Sequence, residues 1–522
     1  VLADGARRHS HGDLAEALEE MHADDPEPVV PQLAHHHAEA GHADRAIPYL
    51  LQAGDYARLL HAHSEAMAAY TRAAGFLREL GDRERLARTL MKIGLTHQTS
   101  FDHERAQPAF DEAFALWAAV DGTAAGRPAG SATLRLLWRE PESLDPTMGG
   151  YTIAAPVVTN LFSGLVRYDE GTDVVPDVAR RWEISGDGRR YTFELRDDAV
   201  WSDDTPVTAH DFVFTYRRAL DPATGAKIAP ALLDAVTAAP AIRRGDALPE
   251  EAGIRALDDH TLVIELTEPT SYFIYNLAYY VLLPVPRHAV ERYGERWVEP
   301  DTLVTNGPFR LTAWEPERTM VLERTDRYHG PARGNVQRVT LDLATGPADH
   351  QEAYLADEVD LLSTAWFTSP ATVGRLRHRF PDEYSRRERF VTVYYWLDPT
   401  RPPMDDLRFR QGMAMAVDRD ALAATAEPDM WRPATGGLVP PGMPGHVPGL
   451  AARHDAAAAA RLVTAATGDG EVPEVTILTS ARSEPIARRL QADWSATGLP
   501  VRIEVLESST DPFGRWTQID GP

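Results

Sequence analysis

Cysteine is absent from the 522 residues, which removes disulfides, zinc–thiolate sites and thiol nucleophiles together. Lysine is nearly absent too: it stands only at Lys92 and Lys227, and the positive charge is otherwise arginine. Long apolar runs are also missing. The nearest, Tyr272 to Pro286, falls short of the roughly 18 residues that suggest a membrane span. It holds Asn276, is broken by Pro284, and reads as a buried core segment. Catalytic signatures are lacking as well. Neither lysine sits in a Gly-Lys-Ser/Thr phosphate loop, and no His-Glu-x-x-His helix, Gly-x-Ser-x-Gly elbow or dinucleotide glycine pattern occurs. The acidic pairs at 197–198, 203–204 and 405–406 fall at turns or helix starts, where they cap or solvate the backbone. No catalysis, no metal and no cofactor are expected.

What is present is ordinary globular composition, 43% hydrophobic and 25% charged, with a formal net charge of −25. That charge repels duplex DNA and anionic lipid, so neither is expected as the main partner. The length sets a prior of about three domains.

Residues 1 to about 120 are rich in Ala, Leu, Glu, Arg and His with helical periodicity. Leu33, Ala34 and His37 are followed by Ala46, Leu50 and Ala53. The same spacing returns at Ile93, Gly94 and His97, then Ala106, Phe110 and Ala113. Small residues let paired helices approach, and bulky ones fill the space between pairs. The pattern resembles tetratricopeptide-type repeats, and "AHHHAEAGHADRAIPYLLQAGDYA" resembles the helical arrays that follow the ATPase module in large bacterial regulators. A protein partner on these repeats is one implication. His35, His36 and His37 are successive, and successive helical residues diverge by about 100°. They are expected on a solvated or inter-helix surface, as are His61 and His63.

From 121 to 131 the sequence DGTAAGRPAGS has the composition of a flexible linker. Beyond it come short alternating runs and turn dipeptides. Gly186-Asp187-Gly188 joins two such runs as a tight hairpin demands. Thr208 or Asp211 is placed to cap a helix turning Phe212, Val213 and Tyr216 inward. "VTNGPFRLTAWEPERTMVLERTDRYHG" (304–330) reads as another hairpin, with Phe309, Leu311 and Ala313 on one face, a turn over 315–318, and alternation again from Met320 to Arg324.

These segments, in order, resemble the family 5 extracytoplasmic solute-binding proteins, especially the oligopeptide-binding proteins of bacterial ABC importers. The similarity is carried by "EPESLDP" (140–146), "NLFSGL" (160–165), "WSDDTPVTAHDFVFTYRRALDPATG" (201–225) and "ALDDHTLVIELTEP" (256–269). It continues through "LLPVPRHAVERYGERW" (282–297), the 304–329 stretch and "MDDLRFRQGMAMAVDRDAL" (404–422). Collinear similarity runs from about Ala132 to Glu507.

The resemblance implies a multi-domain chain. An all-α helical-repeat region over 1–120 and the linker at 121–131 precede a two-lobed α/β periplasmic-binding-protein-like domain over 132–522. Lobe one holds an inserted subdomain at about 165–290, and lobe two starts near 391. It implies non-catalytic peptide binding in an interlobe cleft, with the ligand held as an added strand and with ABC permease subunits as partners if the protein is exported. Position by position, it places Gly150, Tyr151 and Thr152 at the ligand, with Phe214 as a cleft aromatic. It places Tyr394, Tyr395 and Trp396 on a crossover strand, Tyr394 and Trp396 sharing the face opposite Tyr395.

Leu397 stands where relatives can carry an acid, and Thr392 replaces a cysteine that some relatives pair across the cleft. The strand whose carboxylate holds the peptide amine in relatives falls beyond Pro522. The expectation is therefore a C-terminally incomplete receptor, weakened by about 1.5–3 kcal/mol, or ten- to hundredfold. The family is extracytoplasmic, yet the chain opens with Val1 and shows no secretory signal. The alternative expectation is thus a ligand-sensing module of a cytosolic regulator with an upstream ATPase or signalling domain.

Overall fold

A computed structural model describes residues 4–23, 26–121, 132–149, 153–169, 173–330, 334–343, 352–362, 370–385, 390–426, 431–441, 443, 446–468, 472–480 and 483–506. The chain divides into two compact units, Val1–Ser363 and Thr364–Pro522.

Unit 1 opens with helices α1 (Asp4–Met21), α2 (Val30–Ala40), α3 (Ala43–Leu59), α4 (His63–Leu80), α5 (Arg83–Thr99) and α6 (His103–Asp121). Helices α2 to α5 all stop the same way. Gly41, His61, Gly81 and Phe101 take left-handed φ angles of +83°, +56°, +72° and +59°. The N–H of the next residue then reaches back to close the helix: His42 to His37 O, Ala62 to Ala57 O, Asp82 to Leu77 O and Asp102 to His97 O, at 2.9–3.1 Å. This is the glycine-type helix stop, met every twenty residues, with His61 and Phe101 held in a conformation that L residues resist.

Packing has the same period. Ala34, Gly54, Ala74 and Gly94 are buried small residues, and sixteen positions after each stands a buried bulky one: Leu50, Tyr70, Leu90 and Phe110. A Cβ on Gly54 would lie 2.4 Å from the Tyr70 ring, and one on Gly94 would lie 2.4 Å from Phe110. Glycine here is a condition of the close helix approach. His37 leaves its two neighbours, as the 100° step requires. It is buried, stacked on Tyr49 at 5.7 Å, and bonded to Glu19 at 3.0 Å.

Two four-stranded sheets follow. Strands β1 (Ala132–Leu137), β8 (Phe309–Glu315), β9 (Thr319–Arg324) and β10 (Val336–Asp342) form one, in the order β1-β10-β9-β8, with β1 parallel to β10. The other is antiparallel, β4 (Ala179–Ile184), β5 (Arg190–Leu195), β7 (Thr261–Glu265) and β6 (Ile254–Asp258) in that order. A short ladder pairs β2 (Val166–Tyr168) with β3 (Val174–Pro176). Gly188, at φ +69°, turns β4 into β5. The 304–324 hairpin forms with two departures from simple alternation. A register shift interrupts β8 between Leu311 and Ala313. On β9, Met320, Val321 and Leu322 are all buried, because β9 lies inside its sheet and is covered on both faces.

The helical array is built into this core. Residues 122–131 lie outside the described residues, but one hydrophobic cluster runs from Ile47, Leu90 and Phe110 through Trp182, Phe193 and Phe212. On α6, Phe110 and Phe114 meet the Trp182 ring at centroid distances of 5.6 and 4.8 Å. Gln107 pairs with the outer strand β4: its Nε2 donates to Trp182 O (3.2 Å), and its Oε1 accepts from Ile184 N (3.2 Å). His103 packs on the hairpin, so that a Cβ on Gly188 would sit 2.4 Å from its Nε2.

A buried ion network fixes the other side. Asp173, at the entry to β3, accepts from Arg58 of α3 and from Lys92 of α5, each at 2.5 Å. Lys92 also reaches Asp55 at 2.8 Å. Burial alone would raise the Asp173 carboxyl, but the two cations overcome it and hold it below the usual carboxylate range.

In unit 2, β11 (Val475–Ser480) and β12 (Val501–Leu506) run parallel, with a helix, Glu484–Ser495, between them. The resulting β-α-β unit packs on helices Leu407–Ala416 and Ala456–Thr467 around Phe409, Met413, Val463, Ile477 and Trp494. The Trp494 indole donates to Met413 O at 3.0 Å.

Two predictions follow from the array. Gly94→Ala is expected to destabilise by about 1–3 kcal/mol through overpacking, whereas Gly75→Ala, whose Cβ meets nothing within 4 Å, gains up to about 1 kcal/mol from helix propensity. Urea melts that rank the two alike would refute the close-approach account. Asp173→Asn is expected to cost about 3–5 kcal/mol near neutrality, since it strands buried Arg58 and leaves Lys92 with Asp55 alone. The folded carboxyl lies below its unfolded value, near about 3.9. The stabilisation is therefore complete above that value and is lost as pH falls through the folded one. The gap between wild type and variant should accordingly shrink below about pH 4; a gap unchanged between pH 7 and pH 3 would contradict the assignment.

Candidate ligand-binding site

In unit 1 the loop after β1 is anchored at several points before it reaches the expected ligand contacts. Trp138 donates its backbone N–H to Asp342 O (2.8 Å) and its indole N–H to Ile153 O (3.1 Å). Glu140 accepts from the Trp314 indole (2.8 Å) and from Glu317 N (3.0 Å), tying the loop to the β8–β9 turn. Buried Asp145 accepts from Thr147 N (2.9 Å) and from Arg218 Nη2 (2.7 Å). A short 3-10 turn at Pro146–Met148 follows, closed by Gly149 N to Pro146 O at 2.9 Å. Gly150, Tyr151 and Thr152 themselves lie outside the described residues; Gly149 and Ile153 on either side are held by these bonds.

The 304–308 stretch is a clasp on helix α7 (Ala155–Leu161). Asn306 is buried, accepts from Ser163 N (2.9 Å) and donates to Ser163 O (3.0 Å). Gly307 N donates to Leu161 O (2.8 Å), and a Cβ there would lie 2.5 Å from the Leu161 carbonyl carbon. Only glycine lets the two backbones come so close. Thr305 and Ser202 complete the seam, Ser202 N donating to Thr305 O at 2.7 Å. Downstream, buried His329 pairs with Asp177 at 3.0 Å.

Phe214 lies on α8 (Ala209–Leu220), which starts where expected: Thr208 N donates to Asp211 Oδ2 at 2.8 Å. Asp211 also accepts from Arg287 N at 3.2 Å. Phe212 and Tyr216 are fully buried, while Val213 and Phe214 are half-buried against the core of unit 1. The wholly inward Val213 expected from periodicity is thus only partly so, because it sits at the edge of the apolar stripe.

In unit 2 the expected crossover strand at 390–398 forms no strand. A ladder needs a neighbour, and among the described residues of unit 2 the strands β11 and β12 pair with each other. The division of faces nevertheless holds. Tyr394 and Trp396 are 59% and 66% exposed, with Val391 and Val393 beside them. Tyr395 turns to the core of unit 2, where burial pushes its hydroxyl up and a bond to Thr479 acts against that. Leu397 packs on the same core, which accounts for an apolar residue there.

A groove of about 330 Å³ over β4 and β5 is lined by Arg180, Arg181, Glu194 and Asp258 among others and includes none of the seven expected contacts. Its arginines are already paired with Glu194. Trp138, Glu140, Asn306 and Asp173 were not anticipated as positioning residues. The Trp-Arg-Glu and Thr-Asn-Gly words were visible, but their partners are more than a hundred residues away or across a loop.

Among the described residues, an all-helical region is followed by an α/β fold in two units, the architecture of a solute-binding protein. Residues 173–520 match the bacterial extracellular solute-binding proteins, family 5, and the chain belongs to that family. It is 34% identical over 316 residues to the periplasmic oligopeptide-binding protein OppA of Salmonella typhimurium, covering 59% of this chain and 58% of the relative. It is 31% identical over 385 residues to the periplasmic murein peptide-binding protein MppA of Escherichia coli, covering 71% and 70%. The Haemophilus influenzae OppA complex with RPPGFSPFR superposes with a TM-score of 0.65 at 26% identity, over 72% of this chain and 76% of that one. The chain therefore spans a little over half the length of the Salmonella relative. No helix among the described residues is long and apolar enough to cross a membrane.

Asn306→Ala removes two bonds to a buried backbone pair and is expected to cost about 2–4 kcal/mol. Asn306→Asp, which keeps the acceptor and loses the donor, should also destabilise. Denaturant midpoints of both variants equal to wild type would show that the clasp does not hold α7.

Proposed function

We propose that this chain binds oligopeptides or similar small solutes without altering them, as the solute-capturing component of an ABC-type importer. The observation that carries this reading is the 390–398 segment. It joins no sheet, turns Tyr394 and Trp396 outward and anchors Tyr395 behind them. A segment that joins no sheet among the described residues suits strand addition, in which main-chain bonds give affinity and aromatic faces accept varied side chains. Gly150, Tyr151, Thr152 and Phe214, with Tyr395, complete the set of ligand contacts that the family resemblance proposes. Membership of a solute-binding family supports a role without bond-breaking chemistry.

The domain assignment proposed with this reading is a tetratricopeptide-like region over 1–120, a linker at 121–131 and a solute-binding domain over 132–522. Within that domain, a subdomain is inserted at about 165–290, and the second lobe starts near 391. Permease subunits are the proposed partners of the solute-binding domain. A second reading, a ligand-sensing module within a larger regulator, is favoured by the core that α3–α6 share with the sheet carrying Trp182, which joins the helices and that sheet in one packed body.

Titration calorimetry with short peptides is the direct test. Tyr394→Ala and Trp396→Ala should each weaken binding by about 1–2 kcal/mol, or roughly five- to thirtyfold in Kd, and mass spectra of the mixtures should show intact peptide. No binding by the wild-type chain, unchanged Kd in both variants, or peptide cleavage would each defeat the proposal. Hydrogen exchange in α5 and α6 that slows when peptide is added would select the sensing reading.

A further inference from the structure

Three imidazoles meet on the seam between α1 and α2. His11 comes from α1, His35 and His36 from α2. His11 Nδ1 and His36 Nδ1 stand 2.8 Å apart. The ring centroids are 5.0 Å apart for His11 and His36, 5.2 Å for His35 and His36, and 5.6 Å for His11 and His35. One ring nitrogen of each lies within 4.8 Å of the others. We propose that His11, His35 and His36 form a binding site for a borderline divalent transition-metal ion such as Zn²⁺.

The divergence of successive helical residues argues against a site built from α2 alone, and His37 does leave the group. His11 changes the geometry, because it faces both His35 and His36 from the neighbouring helix. A tetrahedral ion with Zn–N bonds of about 2.0–2.1 Å requires ligand nitrogens about 3.3 Å apart; His11 and His36 are at 2.8 Å and all three lie within 4.8 Å. His35 is exposed, so its ring swings inward by side-chain rotation while the helix stays fixed.

The donor chemistry selects the ion. Imidazole nitrogens suit zinc, copper and nickel, whereas calcium and magnesium demand oxygen. Glu39, one turn beyond His35, is held by Arg72 at 2.7 Å, and its charge acts on both His35 and His11. It is placed to favour a cation at the cluster or to orient a fourth ligand. A bound ion would fasten α1 to α2 across a seam on which Glu19 already gathers His37, Tyr49 and Arg45.

The test is Zn²⁺ binding to the chelator-stripped chain, by competition with a chromogenic chelator, with Co²⁺ absorption reporting coordination. One saturable site is expected, with His11→Ala, His35→Ala and His36→Ala each weakening it at least about tenfold, the smallest loss that even outer-shell partners usually cause. The distant His210→Ala should bind like wild type. Zn²⁺ should also raise the melting temperature of wild type and not of His36→Ala. Absence of saturable Zn²⁺ binding, or wild-type affinity in the three variants, would overturn the proposal. His35→Ala keeps the test valid if the others misfold, because an exposed side chain does not hold the helices together.

Discussion

Strand β4 is the outer strand of its sheet, and an uncovered outer strand offers unpaired N–H and C=O groups to any passing chain. In this protein α6 closes it. The Gln107 carboxamide presents one donor and one acceptor to Trp182 O and Ile184 N, as a neighbouring strand would. Phe110 and Phe114 cover the Trp182 ring below. The sheet β4-β5-β7-β6 thus relies on the helical array for both its edge and one apolar face. The array in turn reaches Phe110 only because Gly94 lets α5 and α6 approach. Removing either side leaves the other with exposed apolar surface.

What was legible in the sequence is what is local. The Gly186–Gly188 turn, the Thr208–Asp211 cap and the β-α-β order of unit 2 depend on residues a few positions apart, and each forms. The Gly94–Phe110 pairing was visible for the same reason. The same spacing stands at Gly54, Ala66, Tyr70 and Ala73, and the Gly54–Tyr70 contact forms as well. Non-local partners left no trace in spacing. Arg58 and Asp173 are 115 positions apart, and Asn306 finds Ser163 across 143. The aromatic run at 394–396 shows where pattern stops short. Alternation correctly separated Tyr394 and Trp396 from Tyr395, but strand formation depends on a partner edge, which no local pattern encodes.

The 138–153 loop of unit 1 is rigidly supported. Every hydrogen bond described around the 138–153 loop holds its flanks: Trp138 to Ile153, Glu140 to Trp314, Asp145 to Arg218. The polar atoms of these groups are engaged in bonds to backbone and to other side chains that fix the loop. A pre-organised frame of this kind lowers the ordering cost of any association at the loop.

The ion network explains why the array settles in one orientation. Apolar packing of Phe110 and Phe114 on Trp182 is non-directional and by itself would permit rotation about that contact. Asp173 removes the freedom, because it must meet Arg58 from α3 and Lys92 from α5 at once. Desolvating three charges is expensive, and such groups add little net stability against a well-packed apolar alternative. A misdocked array would leave the Asp173 carboxylate or the Arg58 cation buried and unpaired, a penalty of several kcal/mol. One of the chain's two lysines occupies this position, where its single long arm reaches Asp173 and Asp55 together. The network thus acts chiefly against wrong arrangements: hydrophobic contact draws the helices onto the sheet, and the buried charges decide which way round they sit.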